Sequence, residues 1–109
     1  MTAQEVQDTI EKMAQRIAQQ FDPDLIVLFG SYAKGIATLD SDLDILVVLP
    51  VEGSVRQTAC AIDALLSDRV LPVDLIVLTP EQFERQKDRS GTIACEAVRE
   101  GKIIYERAA

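Results

Sequence analysis

The chain has 109 residues, 48% apolar and 27% charged, which suits one soluble domain spanning 1–109 around one core and excludes intrinsic disorder. Acidic residues outnumber basic ones 18 to 11; the net charge of -7 and the lack of a Lys/Arg stripe argue against direct nucleic-acid binding. The N-terminus lacks a signal-peptide pattern, and the longest apolar run, Ile45 to Leu49, is far short of the roughly 20 residues that cross a bilayer, so a cytoplasmic protein with no membrane partner is expected.

Thr2 and Glu5 form a T-x-x-E capping box, and Val6, Ile10, Met13, Ala14, Ile17 and Phe21 follow at three- and four-residue spacing, predicting an amphipathic helix over about 3–20. Asp22-Pro23-Asp24 ends it, because proline cannot continue the hydrogen-bond ladder. Leu25 to Phe29, closed by Gly30, reads as a buried strand feeding a turn. A short helical turn around Tyr32 to Lys34 leads through a loop over 35–41 into a second strand over 42–49. Ser54, with Gln57 three residues on, caps a helix whose face is Val55, Ala59, Ile62, Leu65 and Leu66, running to about Ser67.

Pro72 to Leu78 is a third apolar strand, interrupted only by Asp74. Thr79-Pro80-Glu81-Gln82 starts a helix sharply, with a cap, a proline at the first helical position and a box partner. After the polar break from Asp88 to Gly91, a helix over 92–100 stops at Gly101 in the usual C-terminal position, and Lys102 to Glu106 makes a final strand. Strands alternating with helices predict an α/β fold: a mixed sheet of three to four strands flanked by helices, its strand order left open.

Cys60 and Cys95 stand 35 residues apart without C-x-x-C spacing and read as reduced, packed thiols. Histidine is absent. That removes Ser-His-Asp and Cys-His schemes and any His-ligated metal, leaving acid–base work to carboxylates, Lys, Tyr or metal-bound water.

The chemistry concentrates between Gly30 and Asp44. Residues two apart on a strand share a face about 6 to 7 Å apart, so Asp42 and Asp44 stand side by side. Two such carboxylates repel each other unless a cation lies between them, and oxygen-only ligation suits Mg²⁺ with substrate phosphate oxygens. The plainer alternative is a pair of solvated acids at a strand's start. Gly30-Ser31 ends the preceding strand, where a tight glycine turn, the amides of the next helical turn and the Ser31 hydroxyl form an anion site, or an ordinary strand-to-helix turn. Asp74, among Val73, Leu75, Ile76 and Val77, is costly as a charge unless something pairs with it: the same metal site, or a salt bridge to a lysine or arginine. The glycines also spell G-x-x-x-x-G, but Ile36 and Ala37 follow Gly35 in place of Lys and Ser/Thr, which disfavours a Walker-type NTPase.

Gly30-Ser31, ten residues, Asp42-Leu43-Asp44 and a later Asp74 resemble the pattern of the nucleotidyltransferase superfamily. The fuller G-S-x-A-[RK]-G and S-D-x-D pattern, matched by Gly30 to Gly35 and Ser41 to Asp44, is similar to its minimal nucleotidyltransferase (MNT) members, as is the tail from Glu100 to Glu106. The resemblance implies a nucleotidyltransferase-like fold in which Asp42 and Asp44 bind two Mg²⁺ ions. Gly30 and Ser31 would hold the β and γ phosphates of ATP, and Asp74 would ligate the metal nearer the acceptor and help deprotonate its hydroxyl. Lys34 stands where many relatives carry arginine and cannot clasp a phosphate bidentately, so a nucleotide contact and a solvated surface lysine both stay open for it.

The resemblance further implies a partner, since MNT proteins typically accompany a HEPN-family RNase toxin and some act as antitoxins by transferring AMP to a tyrosine of it. The expected function is thus Mg-dependent protein AMPylation, with release of pyrophosphate, in a hetero-oligomer with the toxin. A masking antitoxin without catalysis and a small-molecule nucleotidyltransferase are the alternatives.

Overall fold

The computed structural model describes residues 2–38 and 40–108; Leu39, within the loop expected over 35–41, lies outside the described residues, as do Met1 and Ala109. Both halves of the Thr2/Glu5 capping box are made, and they open α1 (Ala3–Phe21), whose Ile10, Met13, Ala14 and Ile17 are buried. The helix closes at Asp22, which takes the left-handed conformation at φ 46°. Then follow β1 (Leu25–Phe29), α2 (Gly30–Lys34), β2 (Leu43–Val48), α3 (Val55–Leu65), β3 (Val73–Leu78), α4 (Pro80–Gln86), α5 (Ile93–Glu100) and β4 (Lys102–Glu106).

The strands form one mixed sheet in the order β3-β2-β1-β4. β1 runs antiparallel to both β2 and β4, while β2 and β3 are parallel, joined by a crossover through α3. Alternation along the strands divides the core. Leu43, Ile45 and Val47 of β2 pack with Ile10, Met13 and Ile17 of α1 and with Ile62 and Leu66 at α3. On the other face Val27, Phe29, Leu46 and Val48 pack with Ala97 of α5, and Phe83 of α4 lies against them.

Several expectations shift. β2 begins at Leu43, leaving Asp42 one residue outside the ladder. α3 stops at Leu65, short of Ser67, where Arg16 from α1 donates to the Leu65 carbonyl at 2.6 Å and Arg69 to that of Leu66 at 2.9 Å; these cations meet the negative end of a helix with no basic residue in its own last turn. Cys95 is buried as expected, whereas Cys60 is exposed, since it sits on the solvent side of α3 beside the apolar stripe. Gly101 ends α5 with φ -85°, so no left-handed turn is involved. Its constraint is steric: a Cβ there would meet the Ala97 carbonyl oxygen and lie 2.7 Å from Val27 Cγ1. Among the described residues no helix is long and apolar enough to cross a membrane.

Candidate active site

On β2 the face toward α4 and α5 carries Asp44, Leu46 and Val48, and on β3 it carries Asp74, Ile76 and Leu78, which are their register partners one by one. The carboxylates thus extend an apolar strip at the end of the sheet where β1 turns into α2. Partners in adjacent strands lie about 4.8 Å apart and project to the same face, so Asp44 and Asp74 stand abreast. Asp42 precedes them and is exposed.

Burial, then the negative charges of Asp74, Asp42 and Glu96 in that order, push the Asp44 carboxyl above the usual aspartate range. The expected desolvation of Asp74 is not found. β3 is an edge strand and Asp74 is exposed on it, so its charge stays in contact with water despite the apolar residues on either side. None of the ion pairs among the described residues involves Asp74, which leaves the salt-bridge alternative without a partner.

Gly30 opens α2 with φ +74°, and a Cβ on it would run into Asp44 Oδ2 and reach 3.0 Å from Cγ. Glycine is therefore what lets the Asp44 carboxylate close against the strand-to-helix turn. Ser31 follows in the first turn of α2, half-buried. The N-cap position is Phe29, which contributes no side-chain hydrogen bond, so the first-turn amides have no capping side chain. Lys34, in the last turn of α2, is directed to α5, with Nζ 2.9 Å from Glu100 Oε2.

The donors gathered here are carboxylate oxygens. Among the described residues no group of three or more His, Cys, Asp or Glu side chains stands as a ready metal cage. Asp44 and Asp74 nevertheless fit Mg²⁺, which commonly takes one or two carboxylates and completes its shell with water and substrate phosphate oxygens. A cation there would also offset both the burial and the repulsion that raise the Asp44 pKa.

Glu96 was not singled out from the sequence, yet its charge bears on both Asp44 and Lys34. Glu96 and Glu100 are one helical turn apart on α5, a spacing visible in the sequence, but only packing of α5 against α2 and the sheet turns it toward the aspartates.

Residues 10–100 match the nucleotidyltransferase domain family. No curated protein matches the chain. Among solved structures, it is similar to a Sulfolobus solfataricus protein assigned as a nucleotidyltransferase, at 22% identity and TM-score 0.64 over 92% of this chain and 79% of that one. It is also similar to a toxin–antitoxin structure with AMP-PNP, at 25% identity and TM-score 0.61 over 89% of this chain and 73% of the other. A third likeness is to the structure of a tri-AMPylated Shewanella oneidensis HEPN toxin in complex with MNT antitoxin, at 23% identity and TM-score 0.59 over 93% and 72% of the two chains.

Proposed function

The chain belongs to the nucleotidyltransferase domain family, and from that premise we propose that it transfers AMP from ATP to a hydroxyl of a HEPN-family toxin, acting as that toxin's antitoxin. The observation that carries the reading is the alignment of Asp44 with Asp74 on adjacent strands, closed against Gly30 at the mouth of α2. Gly30, Ser31 and the first-turn amides of α2 receive the triphosphate, and Lys34 lies on the same short helix. Asp42, Asp44 and Asp74 would hold Mg²⁺, which when bound neutralises phosphate charge and stabilises the attacking and leaving oxygens.

Asp74, exposed on the edge strand, faces the side from which an acceptor arrives and takes the proton of its hydroxyl. The acceptor oxygen then bonds to the α-phosphorus as the bond to pyrophosphate breaks. A protein acceptor, with tyrosine the proposed residue, is supported by the openness of that edge and by the toxin–antitoxin relatives. A cytoplasmic location belongs to the same proposal.

The test is to weigh the co-purifying partner by mass spectrometry after incubation with Mg-ATP and either wild type or Asp44→Asn. Wild type is expected to add one or more AMP units and Asp44→Asn none. Neutralisation of the partner without a mass increase, surviving the substitution, would sink the enzymatic reading.

A further inference from the structure

Lys34 is the one basic side chain on α2, and its charge is already engaged. Its Nζ lies 2.9 Å from Glu100 Oε2, with the two side chains 40% and 52% exposed. Glu96, one turn earlier on α5, adds a second negative charge acting on the same ammonium. A cavity of about 420 Å³ opens beside the pair, lined by Lys34, Thr92, Glu96, Arg99 and Glu100 among others. Solvent reaches the ion pair, so it is exchangeable: exposed pairs of this kind are weak, whereas a phosphate ester offers the lysine a denser negative charge.

We infer that Glu100 is a placeholder for nucleotide phosphate: it keeps the Lys34 ammonium on α5 in the free protein and yields it to a phosphate oxygen when a nucleotide binds at Gly30-Ser31. The inference rests on the nucleotide reading above and adds to it a residue that sets affinity without touching the nucleotide. Holding a flexible lysine beside α5 keeps a cation near the binding turn, at the cost of the ion pair that must open. Glu100 is thus a positioning residue acting through Lys34. It weakens binding of phosphorylated ligands and leaves adenosine binding untouched.

The experiment is calorimetric titration of the full chain with Mg-ATP and with adenosine for wild type, Glu100→Gln, Lys34→Ala, the double variant and, as a control for charge alone, Glu106→Gln on β4. Glu100→Gln is expected to bind Mg-ATP about two- to fivefold more tightly, the factor that an exposed ion pair corresponds to. Adenosine affinity and Glu106→Gln are expected to match wild type, and Lys34→Ala to bind Mg-ATP more weakly. In the Lys34→Ala background Glu100→Gln is expected to have no effect, because the partner it acts through is gone. Equal tightening in that background would assign the effect to a general loss of negative charge and overturn the inference, as would unchanged or weaker binding by Glu100→Gln alone. If wild type itself does not bind Mg-ATP, the nucleotide reading fails and the inference fails with it. Thermal melts of each variant show that the fold is kept.

Discussion

Two glycines with nearly equal φ separate conformation from contact. Gly30 and Gly35 have φ of +74° and +75°, but a Cβ on Gly35 meets nothing within 4 Å, while one on Gly30 strikes the Asp44 carboxylate. Gly35→Ala is therefore expected to cost only the left-handed strain, about 1 to 2 kcal/mol in urea unfolding. Gly30→Ala adds a clash worth roughly another 1 to 3 kcal/mol and should also abolish Mg-ATP stabilisation. Equal losses would mean that the carboxylate does not close on the turn. Asp44 makes a second residue-scale case, since its folded pKa lies above the ordinary aspartate value of 3.8, through burial first and then the charges of Asp74, Asp42 and Glu96. The folded state binds that proton more readily than the unfolded chain. The ionised carboxylate thus costs stability above the raised pKa, and the cost is relieved as pH falls through it. In a chelating buffer Asp44→Asn should melt above wild type at pH 7, with the advantage fading as pH falls toward 3.8. A lower melting temperature at pH 7 would show that Asp44 has a stabilising partner. A candidate site residue that lowers the stability of its own fold fits the usual trade between activity and stability.

At the scale of the element, α5 links the candidate site to the rest of the molecule. Thr92 accepts from the Cys95 amide at 3.1 Å, while its single hydroxyl proton is shared between the carbonyls of Gln86 at 2.8 Å and Arg89 at 2.9 Å. One side chain thus caps α5 and ties it to the end of α4. Thr92→Ala should cost about 1 to 2 kcal/mol in thermal or urea unfolding, and Thr92→Ser clearly less because the hydroxyl is kept. Similar losses for both would move the role to the methyl group. At the other end Gly101 lets the chain pass close to Val27 and into β4. Between these anchors Glu96 and Glu100 are held over β2 and α2, so the charges acting on Asp44 and Lys34 depend on a cap several residues away.

For the whole molecule, the sheet has two apolar faces and depends on both. Leu46 is fully buried on the face shared with α4 and α5, and Leu46→Ala should cost about 2 to 5 kcal/mol, with amide exchange accelerating first in α5. A loss below 1 kcal/mol would mean that α5 packs loosely. The local elements were readable from the chain: the Thr2, Ser54 and Thr79 caps, the Leu25–Phe29 strand and the stops at Asp22 and Gly101 depend on neighbours within a few residues, where propensity and hydrogen-bond chemistry decide. The Gly30-Ser31 and Asp42-x-Asp44 pattern was readable for the same reason. The strand order was not, because pairing joins residues distant in sequence and a parallel or antiparallel neighbour leaves the same local pattern. That order puts β3 at the edge, which is why Asp74 is exposed and not, as its apolar neighbours suggested, desolvated. The same long-range packing brings Glu100 to Lys34. The sequence by itself determined which residues are candidates for phosphate-transfer chemistry; the tertiary structure decided that Asp44 stands abreast of an exposed Asp74 and that Glu100 holds the lysine, because strand pairing and helix packing join residues far apart in the chain.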